Sequence, residues 1–165
     1  MVADSQGRGG FTASQPLTRD RVVLFGGSTV KNPTAGYIIP VAFSPLNDTL
    51  EWDATQWTRA ADTGPAPRGG HGMVYHGTNV LLFGGQDTGT FGLIFQIAQY
   101  FGDTWQWDGK HWTQLQDIGP AACWPAGMTF DSVRKRSVLF AGLNQTGNFD
   151  DTWELYDPNA TVGGS

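Results

Sequence analysis

The chain has 165 residues, a formal net charge of −5, one cysteine, 23 glycines, 9 prolines, seven tryptophans and ten phenylalanines. That length suffices for one domain with a real core, and the Gly and Pro content fits the many turns of an all-β chain. A single cysteine excludes an internal disulfide. There is no apolar run of about 18 residues for a membrane-spanning helix, and the scattered bases lack the stripe that marks a nucleic-acid partner.

The opening "MVADSQGRGG" carries no basic segment followed by an apolar one, so no signal peptide is read there and an intracellular location is the default expectation. "VVLFGG" from Val22 then reads as a short strand ending in paired glycines. Ser28 to Asn47 is an apolar insertion containing Tyr37 and Phe43, and "DTLEW" from Asp48 and "QWTRA" from Gln56 read as two further strands. A second set follows. "RGGHGMVYH" from Arg68 leads into "VLLFGG", an insertion from Gln86 to Gly102 holds Phe91, Phe95 and Tyr100, and "DTWQW" and "HWTQL" flank Asp108-Gly109. Trp105 and Trp107 stand two apart and share one face of a strand. Asp108-Gly109 is a tight-hairpin signal because that turn needs positive φ. The third set runs from "GPAACWPAG" through "VLFAG" and the short "LNQTGNFD" to "DDTWELYDPN".

These sets are copies of one unit. Asp48 and Asp103, Trp57 and Trp112, Gly64 and Gly119, and Met73 and Met128 are each 55 positions apart. "LFGG" at Leu24 and Leu82 and "LFAG" at Leu139 stand 58 and 57 apart, and "RGG" at Arg8 and Arg68 stands 60 apart. A period near 50 with four strands per unit is the pattern of a β-propeller blade. The expectation is an all-β chain, one domain over 1–165, with unit I at about 8–63, unit II at about 64–118 and unit III at about 119–157.

The triple "VVLFGG", "VLLFGG" and "VLFAG", each followed by Asp-Thr and twice by Trp-Thr, resembles the kelch repeat in its bacterial form. The resemblance spans about Arg8 to Asp157 and implies three four-stranded kelch-like blades, half of a six-bladed β-propeller. The third copy departs from it, with Ala141 for a glycine, Cys123 at the Arg68 position and no fourth strand. Three blades do not close a ring. Val2 to Ser5 aligns with the tail of a fourth strand, so the expectation is a homodimer in which two chains complete one ring. A non-ring oligomer and a piece of a longer propeller remain the alternatives.

Two loop sets share one end of such a ring, those joining strands two and three and those joining successive copies. Insertions beyond about 12–15 residues are usually functional or locally structured. The two long ones either fold back on the sheets, form an exposed apolar platform or make the dimer contact. Kelch-like domains generally recognise proteins through these loops. The candidate binding residues are Tyr37, Phe43, Arg68, Phe91, Phe95, Tyr100 and Trp124: an Arg for anionic or amide groups and aromatics for stacking.

Catalysis has little support. His71, His76 and His111 occupy non-equivalent places and do not make a metal set. A copper oxidase of the kelch kind would need better. Asp48, Asp103 and Asp151 recur once per copy, so they do not converge as an acid/base pair and are expected to accept backbone N–H groups in turns. The repeat tryptophans are expected in the core. Cys123 has no matched histidine. Arg134-Lys135-Arg136 reads as a solvated turn. A non-catalytic interaction module without cofactor, metal, nucleic acid or membrane partner is the reading, with a glycan- or small-ligand-binding propeller and an enzyme as alternatives.

Overall fold

The computed structural model describes residues 12–14, 21–31, 42–87, 98–116 and 119–156. Among these residues the fold is all-β, built of three antiparallel sheets and one two-stranded hairpin. Sheet I holds β1 (Thr12–Ser14), β2 (Val22–Phe25), then β5 (Thr49–Trp52) and β6 (Trp57–Ala61). Between β2 and β5 the chain forms the separate pair β3 (Ser28–Lys31) and β4 (Ala42–Pro45), the stem of the first insertion. Sheet II is a regular meander of β7 (Gly72–His76), β8 (Asn79–Phe83), β9 (Thr104–Trp107) and β10 (Trp112–Gln116). Sheet III has three strands, β11 (Trp124–Asp131), β12 (Arg136–Asn144) and β13 (Gly147–Tyr156).

The turns follow local chemistry. Asp108 accepts from the backbone N–H groups of Lys110 and His111, both at 2.7 Å, and Gly109 takes φ 95°. Asp53 and Asp131 cap their turns in the same way. Asp87, in the second insertion, likewise accepts from the Gln99 N–H at 2.6 Å. Of the aspartates that open the third strands, Asp103 takes Arg68 and the Trp105 indole beside its own backbone N–H, and Asp151 takes the Trp153 indole. At Asp103 and Asp151 side-chain donors take most of the place that the repeat pattern gave to turn amides.

The sheets stack through alternate residues, as period-2 strands require. Val23 and Phe25 of sheet I meet Met73, Tyr75, Val80, Leu82 and Trp107 of sheet II in one core. Phe83 of sheet II meets Leu139 and Cys123 on the sheet III side in another, with Met128 and Phe149 against it. Within the second junction His76 Nδ1 lies 2.6 Å from Ser137 Oγ, and its ring tilts onto Phe130 at 4.7 Å.

The glycine pairs allow the close approach. A Cβ on Gly26 would lie 2.7 Å from the Arg68 carbonyl oxygen, and one on Gly84 would lie 2.7 Å from that of Cys123. Those carbonyls accept from Gly27 and Gly85, each at 2.9 Å. In sheet III the corresponding Ala141 keeps positive φ, 52°, and β12 and β13 pair on past it through a register shift to a turn at Asn144–Gly147. The "LNQTGNFD" segment is thus the end of a long hairpin rather than a loop leaving the sheet.

Candidate functional site

The loop-side end of sheets II and III is built around Arg68. Its backbone N–H donates to Leu46 O of sheet I's loop at 3.1 Å, while its side chain reaches into sheet II. Nη1 donates to Asp103 Oδ1 at 2.6 Å and to Gly84 O at 3.1 Å, Nη2 to Asp103 Oδ2 at 2.9 Å, and Nε to Ala66 O at 3.0 Å. The guanidinium also lies 3.9 Å from the Phe101 ring centroid. Burial alone would raise the Asp103 pKa, but hydrogen bonds from Arg68 and Trp105, with the Arg68 charge, hold it below the ordinary carboxylate value. Arg68 is 0% exposed. The sequence offered it either a partner or a hold on neighbouring carbonyls; a buried guanidinium with all three nitrogens bonded inside the molecule ties the loop to sheet II.

Cys123 takes over the backbone part of that role in sheet III. Its N–H donates to Phe101 O at 3.2 Å, and its carbonyl accepts from Gly85. The thiol is buried, and burial, then the nearby Asp151 charge, raises its pKa. A protonated, enclosed thiol is a poor nucleophile.

Trp124 and Tyr100 are the expected binding residues that lie at this end with some exposure. Trp124 is 45% exposed, pairs in register with the exposed Leu143, and lays its ring over Gly70, where an added Cβ would meet it at 2.7 Å. Tyr100 is half-buried and bridges Gln86. It lines an open cleft of about 350 Å³ with Ala98, Gln99, Ala122, Asn144, Gln145 and Thr146. Gln145 Nε2 donates to Ala98 O and Asn144 Nδ2 to Ala122 O at 2.9 Å, joining the hairpin tip of sheet III to the second insertion and to the segment before β11. Asn144, Gln145 and Leu143 were not anticipated, because nothing in the sequence shows that the third hairpin reaches this far. Phe43 lies on β4 opposite Val30. Tyr37, Phe91 and Phe95 fall outside the described residues.

The repeat tryptophans divide by position. Trp107 is buried, Trp52, Trp57, Trp105 and Trp112 are half-buried, and Trp153 is exposed. Trp105 sits between β8 and β10, whereas β13 has a paired strand on one side only among the described residues. His71 is buried edge-on to Phe25 at 5.6 Å, with its pKa lowered from 6.5 to about 3 by burial first and by the Arg68 charge second. His76 lies in the junction with sheet III, and His111 is exposed in a hairpin turn. Among the described residues no group of three or more His, Cys, Asp or Glu side chains could hold a metal, and no helix is long and apolar enough to cross a membrane.

No family model matches the sequence. No curated protein matches it either. Among solved structures the chain is similar to YjhT, with a TM-score of 0.63 at 15% identity over 94% of this chain and 44% of that one. At that identity the shared property is the β fold. The chain spans less than half the length of the structure it matches.

Proposed function

We propose that the chain is a kelch-like half-propeller whose role is binding rather than catalysis, and that it recognises a protein partner through the loop end of sheets II and III. The observation that carries this reading is the meeting of Trp124, Leu143 and the cleft beside Tyr100 at one end. Two exposed apolar side chains stand next to a cleft rimmed by amides (Gln99, Asn144 and Gln145). Aromatic anchors beside amide donors and acceptors suit a peptide chain, whose backbone offers both hydrogen-bond partners and whose side chains offer apolar surface. Three stacked sheets, each repeating one unit, support the reading as part of a propeller. The match to less than half of a longer β chain agrees with it. Self-association of two chains into one ring belongs to the same reading.

Capture from native extracts with the intact chain and with Trp124→Ala tests it, quantified by mass spectrometry beside a glycan array. Proteins retained by the parent chain and lost by about tenfold or more with the variant, at unchanged circular dichroism, are the expected result. Binding on the glycan array alone, lost with the same variant, would replace the protein reading with a lectin-like one.

A further inference from the structure

The faces that sheets I and III turn away from the sheet before them repeat residue for residue. On sheet I this back face carries Val23, Phe25, Thr49 and Glu51, with Arg21 bonded to Glu51 at 2.7 Å. On sheet III the equivalent positions are Val138, Phe140, Thr152 and Glu154, with Arg136 bonded to Glu154 Oε2 at 2.7 Å. Arg134, of the β11–β12 turn, donates to Glu154 Oε1 at 3.0 Å, which leaves that oxygen's second lone pair for an indole. Phe25 pairs across the strands with Thr49, Phe83 with Thr104 and Phe140 with Thr152, so the equivalence is one of register as well as sequence. Their fates differ. Phe25 and Phe83 are 0% and 3% exposed, whereas Phe140 is 54% exposed.

What covers the back face of sheet I is known in atomic detail. A tilted tryptophan pair of sheet II, Trp107 and Trp112, with ring centroids 5.5 Å apart, lies on it. Trp112 meets Phe25 edge-on at 5.2 Å and donates Nε1 to Thr49 Oγ1 at 2.8 Å, while Trp107 donates Nε1 to Glu51 Oε1 at 3.3 Å. Sheet II shows the converse. Its successor, sheet III, has Leu155 in place of the first tryptophan, and sheet II carries the neutral Gln106 in place of the glutamate. The carboxylate thus accompanies an indole donor in the next sheet. Glu154, exposed on sheet III, calls for a successor with a tryptophan pair.

Sheet I has that pair. Trp52 and Trp57 occupy the positions of Trp107 and Trp112, are cross-strand partners as those are, and lie tilted with ring centroids 5.6 Å apart. Trp57 Nε1 is buried and has no hydrogen-bond partner among the described residues, although its equivalent, Trp112 Nε1, has one. A buried donor without an acceptor is costly.

We propose that a second copy of this chain docks its sheet I onto the back face of sheet III. In that contact Trp57 Nε1 donates to Thr152 Oγ1, Trp52 Nε1 donates to Glu154, and the Trp57 ring meets Phe140. The contact rests on the self-association reading above and specifies its surfaces. Each copy gives one face and receives the other, so a two-fold axis relates the two contacts and two copies close the ring. Ala141 modifies the junction: its methyl keeps a following loop carbonyl further off than at Gly26 and Gly84, so the strand centres carry the contact.

Sedimentation of the full chain across a concentration series gives the dimer dissociation constant. The wild type is expected to dimerise. Phe140→Glu should weaken the dimer about 30-fold or more, and Thr152→Val and Trp57→Phe about tenfold each. The double variant should be no weaker than either single one, since both remove one bond. Val133→Glu, at the exposed tip of the β11–β12 turn, should change nothing. Phe140 and Thr152 are exposed, so those variants keep the monomer fold even where Trp57→Phe does not. A wild type monomeric throughout would overturn self-association altogether. A dimer indifferent to Phe140→Glu and Thr152→Val, or strictly additive losses in the double variant, would overturn this interface while leaving self-association standing.

Discussion

Arg68 and His71 show how a single residue serves two sheets. The Arg68 backbone bonds to the sheet I loop and its fork clamps Asp103 of sheet II. Arg68→Met should destabilise the chain by about 3 kcal/mol, because Asp103 is left half-buried without its partner; urea unfolding at neutral pH measures this. His71 gives a pH dependence of definite sign. Its folded pKa, about 3, lies below the ordinary 6.5, so the unfolded chain takes up a proton that the folded chain refuses. The stability present above pH 6.5 is therefore lost as pH falls towards 3, amounting to about 2 kcal/mol between pH 7 and pH 5. His71→Leu should flatten unfolding free energy across that window; an unchanged slope would mean that the imidazole is charged inside the fold. A hold on neighbouring carbonyls was legible for Arg68, and Ala66 and Gly84 supply them; the Asp103 clamp and the burial of His71 were not. The Arg68 partner lies 35 positions on, and its distance along the chain gives no sign of the contact.

At the scale of the element, the strands and their tight turns were legible because their signals are local. A short apolar run ending in Gly-Gly marks β8, tryptophans two apart mark β9, and Asp-Gly marks the turn to β10. The paired glycines were legible as places of close approach, and the carbonyls 2.7 Å from a built Cβ give the cause. Gly84→Ala should cost about 3 kcal/mol, adding left-handed strain to a clash with backbone. Ala141→Gly should stabilise by about 1 kcal/mol, since there only the strain is relieved. Thermal unfolding of the two variants should thus move in opposite directions. The extended β12–β13 hairpin was not legible, because Asn144 and Gly147 close a tight turn in a segment that the repeat alignment assigns to a loop. The cleft beside it escaped notice for the same reason.

For the whole molecule, the stack of three sheets followed from the 55-residue offset, but which residues faced forward or back did not. Glu51, Gln106 and Glu154 become comparable only when strand register shows that they share one face with Phe25, Phe83 and Phe140. That face gives the account its central claim, that the back of sheet III is made to be covered by sheet I of a second copy. Light scattering coupled to gel filtration tests it most directly. The account predicts twice the 17.9 kDa chain mass, falling to the single-chain mass in Phe140→Glu with the fold intact. A wild-type chain that elutes at the single-chain mass at every concentration would contradict it.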